Sequence, residues 1–337
     1  MTDQEDLDET DGTVVSSGLQ TLRKVSWRSV LQVVFLLLAV AILVKTIAGL
    51  DLAQLLDQLR AATWWIAFLG FVIAQVPPSM QALSTIGASP VEHPFVPVYV
   101  LQLAQSYVGL VIPSSAARIA MDVRFMQKQG FAAGTALAIG AIESFAGFIV
   151  EVVLLGGLLI LTPQTLHFNL SAPPLSKWRT ILLILVGIAM VFGLVAILMP
   201  KRRNQAITWL RSLLKQGREA LTGLRSLRRL LLLFGGSLGA ILSYSGALGV
   251  SAAALGTHVS FSDLIVIFIT VSLLAGLLPI PGGIGVVESG VTFGLIAAGM
   301  PEEQAFAAAI LYRLGTFYIP PIWGYPAFRW LERSDLL

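Results

Sequence analysis

Apolar positions dominate this chain in long, nearly unbroken runs. Candidate spans fall at about 28–49, 64–87, 94–112, 131–161, 179–199, 229–255, 263–280 and 303–329. Runs near 20 apolar residues are long enough to cross a hydrocarbon core of about 30 Å as helices. They are too long and too continuous for the alternating pattern of a transmembrane barrel. The pattern predicts an all-α polytopic membrane protein with about eight transmembrane helices. Trp64, Trp65, Trp178, Trp323 and Trp330 stand near span ends, where interfacial anchors are expected.

Two segments interrupt the pattern. In Gly276-Leu277-Leu278-Pro279-Ile280-Pro281-Gly282-Gly283-Ile284-Gly285-Val286-Val287-Glu288, prolines and glycines break an apolar helix and an acid follows. Segment 113–129 begins at Pro113 and carries Arg118, Asp122, Arg124 and Lys128. Lipid-exposed backbone cannot stay broken, because its N–H and C=O groups would lack partners. Both segments are therefore expected to be broken or re-entrant helices shielded by protein or lining an aqueous cavity. Pro113, Pro281, Gly282, Gly283 and Gly285 are the candidate residues that hold the breaks.

Charge sets the expected orientation. The loop 201–229 holds nine basic residues against one acid, Glu219, and Arg23, Lys24 and Arg28 flank the first span. The positive-inside rule places this loop and the N-terminus in the cytoplasm. Leucines at helical spacing beneath the loop's basic residues predict an amphipathic helix on an anionic leaflet, and nucleic acid is not an expected partner. Residues 1–27 read as a disordered acidic tail, with six acids among the first 11 residues. Counting crossings from these fixed points makes 113–129 and 281–299 return the chain in opposite directions.

The two segments also resemble each other. Gly109-Leu110-Val111-Ile112-Pro113 parallels the run from Gly276 to Pro281. Gly130, Ala136 and Ala138 parallel Gly299, Ala305 and Ala307, and Glu143 stands opposite Arg313. The spacing predicts an inverted-topology internal repeat with halves at about 64–161 and 229–329 inside a domain spanning 28–330. Transporters of that architecture bind substrate where the halves meet. Chance recurrence of small residues, which let helices approach, is the competing explanation.

Composition sharpens this picture. Residues are 56% hydrophobic and 12% charged, with mean hydropathy +0.82; soluble domains carry about 25% charge. A charge at a helix centre costs at least about 2.5–3.5 kcal/mol, so intramembrane charges should pair and face the interior. Arg118, Arg124, Glu143, Glu288 and Arg313 are the candidate substrate-binding residues. The arginines would meet a lipid phosphate, and the carboxylates would hold them or titrate. Packing salt bridges are the alternative role. Arg118 and Asp122, four apart on one helix face, are an expected local pair. Lys45 reads as a snorkelling side chain and Glu151 as reaching the outer interface.

Enzyme chemistry finds little support. There is no Walker A loop, no HExxH and no cysteine, and His93, His167 and His258 are scattered near loops. No catalytic residue, cofactor or metal is expected.

The PxPGGxGxxE run at Pro279–Glu288, with Pro113, Arg118, Arg124, Gly130 and Glu143, then Gly299, Ala305, Ala307 and Arg313, resembles the lysylphosphatidylglycerol synthase transmembrane family, the flippase-like module. The likeness covers most of 28–330. It implies translocation of an anionic or zwitterionic phospholipid, or a polyprenyl-phosphate-linked lipid, across a plasma membrane. In bifunctional members the module precedes a soluble aminoacyltransferase domain, which this sequence, ending at Leu337, does not show. Ser114-Ser115-Ala116-Ala117 also departs from the glycine common in relatives at that point, which leaves the substrate open. The alternative is a non-catalytic membrane partner of a separate synthase, glycosyltransferase or wall-assembly enzyme.

Overall fold

The computed structural model describes residues 52–110, 114–161, 226–277 and 280–337. The expected spans 28–49 and 179–199, the tail 1–27, Lys45, Pro113 and most of the basic loop lie outside the described residues. The described chain is helical, and it is a polytopic membrane protein. Four helical stretches are long and apolar enough to cross a membrane: Trp64–Ala88, Ala133–Leu158, Leu227–Ala253 and Glu302–Arg333.

In chain order the helices are α1 (Leu52–Ala61), α2 (Trp64–Ile73), α3 (Val76–Ala88), α4 (Phe95–Val108), α5 (Ser114–Lys128) and α6 (Ala133–Leu161). They continue with α7 (Leu227–Ala253), α8 (Phe261–Leu277), α9 (Val286–Ala297), α10 (Glu302–Arg313), a π turn (Leu314–Tyr318) and α11 (Pro321–Arg333). Helix α7, 27 residues and about 40 Å long, forms the axis of the packing.

Two of the expected spans hold shorter apolar helices. Segment 94–112 contributes α4, 14 residues and about 21 Å long, and segment 263–280 lies largely in α8, 17 residues and about 26 Å long. Each packs against the helix that follows it, as one arm of a hairpin. In the first hairpin α4 packs against α5. Its open end is fastened where the His93 ring bonds Gln129 at 2.6 Å and Ser89 at 2.7 Å. Burial of the imidazole pulls the His93 pKa below its ordinary value and keeps the ring neutral there. In the second hairpin α8 leads through the glycine-rich turn into α9. Its open end is fastened by Thr257 Oγ1 donating to Gln304 at 2.8 Å.

The hairpins open at opposite ends of α7. Near its start, Arg228 pairs with Glu92 and Leu233 packs with Phe125, Met126 and Leu331. Lys128 pairs with Asp335 and holds that carboxyl below the usual range. Beyond the α7 C-terminus, Ala254 accepts the Thr63 N–H at 2.7 Å, and Leu255 packs with Ala62 and Met300.

Small residues let α3 and α7 meet backbone to backbone, as membrane helices do where burying apolar surface gives little drive. A Cβ on Gly236 would stand 2.6 Å from both the Met80 carbonyl oxygen and the Ser84 nitrogen, and one on Gly87 would stand 2.4 Å from the Leu233 nitrogen. Ser84 and Ser237 hydroxyls bond at 3.1 Å across the contact. Gly236→Ala is expected to cost about 1–3 kcal/mol by overpacking, because the obstructing atoms are main chain and cannot rotate away. Thermal unfolding of the detergent-solubilised protein checks this; an unchanged midpoint would mean that the helices separate freely.

The Trp64–Ala88 crossing is itself broken. Val76-Pro77-Pro78 supplies two residues without N–H donors, and the chain caps the gap internally. Gln75 Nε2 donates to Phe71 O at 3.0 Å and to Gly315 O at 2.9 Å in the π turn. Two irregular backbones thus satisfy each other where lipid could not.

Candidate functional site

The turn before α9 has a local cause. Gly282, Gly283 and Gly285 adopt φ of 60°, 63° and 85°, the left-handed region that L side chains rarely adopt. Gly282 has a second reason to lack a Cβ, since one would stand 1.9 Å from Phe317 Cζ. The turn leaves the N–H groups of the first α9 turn needing acceptors. Glu288 serves one of them: its Oε2 accepts the Gly285 N–H at 2.7 Å.

Glu288 is fully buried, and its other oxygen receives two donors. Arg313 Nε reaches Oε1 at 2.7 Å and Tyr318 OH reaches it at 2.6 Å. Arg313 Nη2 turns to the Gly282 carbonyl at 2.8 Å, while its Cζ stands 4.1 Å from the Phe317 ring centroid. The glycine turn, α9, the end of α10 and the π turn are therefore joined through one ion pair. With the Arg313 side chain 7% exposed and Glu288 0%, this pair is sealed inside protein.

A second ion pair joins α5 to α6. Arg118 on α5 pairs through Nη2 with Glu143 on α6, and its Nε stands 3.8 Å from Asp122 one turn along its own helix. Glu143 also receives Thr85 Oγ1 from α3 at 3.0 Å, and Thr85 in turn receives Gln102 Nε2 at 3.1 Å. Asp122 receives Gln105 Nε2 at 2.7 Å. Both carboxylates are buried, but the Arg118 side chain is 37% exposed. Its side chain is the more exposed of the two arginines.

Tyr244, midway along α7, connects the pairs. It stacks on Phe268 of α8, its hydroxyl accepts Gln81 Nε2 at 3.4 Å, and it lies within electrostatic reach of both Arg118 and Arg313. The two guanidiniums thus approach one residue from helices far apart in sequence.

The structure brings Arg118 together with Glu143, and Glu288 with Arg313. Pro281, Gly282, Gly283 and Gly285 form the break beside the second pair. Arg124 does not join either pair. It is exposed on α5, on the side of the hairpin where Asp335 feels its charge. Pro113 is outside the described residues. Glu151 is half-buried on α6, away from both pairs. Among the described residues no group of three His, Asp or Glu side chains converges as metal ligands would.

Sequence reasoning missed the polar partners Thr85, Gln102, Gln105, Tyr244 and Tyr318. The glutamines left a usable signal, since Gln102 and Gln105 recur three apart within an otherwise apolar helix. Thr85, Tyr244 and Tyr318 left none, because such residues are ordinary in membrane helices.

Residues 29–324 match a family model described as the lysylphosphatidylglycerol synthase TM region. Among curated proteins, a phosphatidylglycerol lysyltransferase of Staphylococcus aureus (strain COL) is 41% identical over 66 residues, covering 19% of this chain and 8% of that protein. One of Staphylococcus haemolyticus (strain JCSC1435) is 35% identical over 82 residues, covering 24% of this chain and 10% of that protein. The similarity thus reaches at most about a tenth of these much longer relatives. No solved structure matches.

Proposed function

The chain belongs to the lysylphosphatidylglycerol synthase transmembrane family, and from that premise we propose that it is a lipid translocator. Its cargo is an anionic or zwitterionic phospholipid, or a polyprenyl-phosphate-linked lipid, carried across a plasma membrane. A membrane lipid-related role follows from the family. The observation that carries it is Arg118, a guanidinium left open on a broken-helix hairpin, with its carboxylate partners buried behind it.

The proposal includes an inverted repeat. Each half reads span, hairpin, span: Trp64–Ala88, α4–α5 and α6, then α7, α8–α9 and Glu302–Arg333. Hairpins opening at opposite ends of α7 support two re-entrant elements entering from opposite leaflets, the arrangement used for alternating access. The positive-inside charge of 201–229 puts its end of the bundle, and the N-terminus, in the cytoplasm, with the basic loop against the anionic leaflet. In this reading Arg118 meets the phosphate while Glu143 holds it in place. Arg313 and Glu288 keep the second turn shaped, and the chain itself is a carrier, not an enzyme.

The test is reconstitution into phosphatidylglycerol-containing liposomes with a fluorescent phosphatidylglycerol, read by quenching from outside. Wild type is expected to expose the inner-leaflet probe faster than empty liposomes. Arg118→Lys, which keeps a cation beside the buried Glu143 and Asp122 but loses the guanidinium fork, is expected to fall toward the empty-liposome rate while unfolding near wild type, whereas Arg118→Ala also destabilises because both acids lose their cation. Equal rates for wild type and empty liposomes would remove the reading. In that case a non-catalytic membrane partner of a separate lipid- or wall-modifying enzyme becomes the better account.

A further inference from the structure

The two ion pairs have the same internal spacing with their charges exchanged. Glu288 stands 170 positions after Arg118 (288 minus 118), and Arg313 stands 170 after Glu143 (313 minus 143). Within each pair the partners are 25 residues apart. One polar position breaks the balance. At the same offset from Asp122 lies Thr292 (292 minus 122). Thr292 is neutral, and its hydroxyl folds back on the Glu288 carbonyl at 2.7 Å.

The second pair is therefore electrically neutral, one guanidinium against one carboxylate, and every charged oxygen in it has a donor. The first pair carries a surplus carboxylate, with Arg118 facing both Asp122 and Glu143. A net charge inside a membrane protein is costly and is a functional position by default. Among the described residues, the groups that face Asp122 do not cancel it. Its own helix offers Arg118, already shared; α6 offers Glu143, another acid; and α4 offers only the neutral Gln105. Tyr244 on α7 reaches the cluster through Arg118, and Arg124 points to the exposed face.

A second observation shows what the cluster lacks. Gln102 is 4% exposed, and its amide nitrogen feeds the Thr85–Glu143 chain, yet its Oε1 is buried without a donor. An orphan acceptor costs about 1–3 kcal/mol. The cluster therefore carries one negative charge more than its guanidinium balances, which a proton on a carboxylate cancels, and it holds a buried acceptor at Gln102 that no described donor serves.

We propose that the Asp122–Arg118–Glu143 cluster is a proton-binding site that couples lipid movement to a proton gradient. The coupling rests on the translocator reading; the proton site does not. An O–H bond forms on an Asp122 carboxyl oxygen, and the same proton leaves to water on the other side in the return step. Nothing is oxidised or reduced. Protonation cancels the acid that holds Arg118 Nε and leaves that donor for a phosphate oxygen. Proton and anionic headgroup then each favour the other's binding, as linkage requires.

Two measurements on the whole chain test this. The first is infrared difference spectroscopy of the purified protein, titrated from about pH 8 to about pH 4 across the carboxylate range. A protonated buried-carboxyl band is expected in wild type and in Glu151→Gln, and is expected to be missing in Asp122→Asn. Asp122→Thr, which copies Thr292, is the second variant should the amide disturb folding. The second is probe distribution in phosphatidylglycerol liposomes holding a fluorescent phosphatidylglycerol under an imposed pH gradient. Wild type is expected to approach about a tenfold leaflet asymmetry per pH unit, the limit for one proton per lipid. Both variants are expected to show no gradient-dependent asymmetry. A carboxyl band that survives both Asp122 substitutions overturns the site, and wild-type translocation indifferent to the gradient overturns the coupling. Loss of the band in the variants, with no translocation by wild type, would sustain the proton site and remove the translocator reading alone.

Discussion

Arg313→Ala is expected to lower the unfolding free energy by about 3–5 kcal/mol, the loss typical when one partner of a buried pair is removed. The size follows from what stays behind. Glu288 is fully buried, and without Arg313 its Oε1 keeps only the Tyr318 hydroxyl at 2.6 Å. The Gly282 carbonyl loses the Arg313 Nη2 donor at 2.8 Å as well. Glu288→Gln should cost less than Arg313→Ala, because a neutral amide still offers an oxygen to Arg313. The double variant Glu288→Gln/Arg313→Met should recover part of the loss, since no uncompensated charge remains. Steric-trapping or thermal unfolding in detergent reads these differences. If the single Arg313 variant unfolds like wild type, the pair does not hold the turn.

Gly282→Ala is expected to cost about 2–6 kcal/mol from two sources. A non-glycine residue in the left-handed region costs about 1–3 kcal/mol, and φ at Gly282 is 60°. Overpacking adds about 1–3 kcal/mol, because the new Cβ would lie 1.9 Å from the Phe317 ring. The ring cannot swing away freely, for its face covers the Arg313 guanidinium at 4.1 Å. The two sources separate by experiment. Gly282→Ala/Phe317→Ala relieves the overlap and keeps the backbone strain, so it should lie between Gly282→Ala and wild type once the Phe317→Ala cost is subtracted. The same substitution at Gly130, φ 89° with open space around its Cβ position, should show only the strain. Equal losses at Gly282 and Gly130 would mean that Phe317 yields without cost.

The fold class was legible in the sequence because hydropathy is a one-dimensional property. A run such as Leu227–Ala253 needs no partner to be recognised as a crossing. The breaks at 113–129 and 281–299 were legible for the same kind of reason, since proline without an N–H and glycine runs disrupt a helix wherever it lies. For segments 94–112 and 263–280, apolar composition does not distinguish an arm that crosses from one that turns back. That distinction sits in contacts such as His93 to Gln129, formed by residues 36 apart.

For the site, the sequence by itself determined the inventory: an excess of intramembrane charge, two helix breaks, and a recurring order of landmarks. Insertion cost alone requires that such charges be paired and turned inward. Only the tertiary structure decided the pairing. Arg118 with Glu143 and Arg313 with Glu288 are contacts across helices, set by packing that allows Gly236 to touch the α3 backbone and Phe317 to fill the space over Gly282. It also decided that Arg124 stands outside, because it lies on the opposite face of α5 from Asp122, and that one cation is open while the other is sealed. Exposure is a property of what surrounds a side chain. The residues around Arg118 and Arg313 come from helices far apart in sequence, so no local pattern in the chain records it.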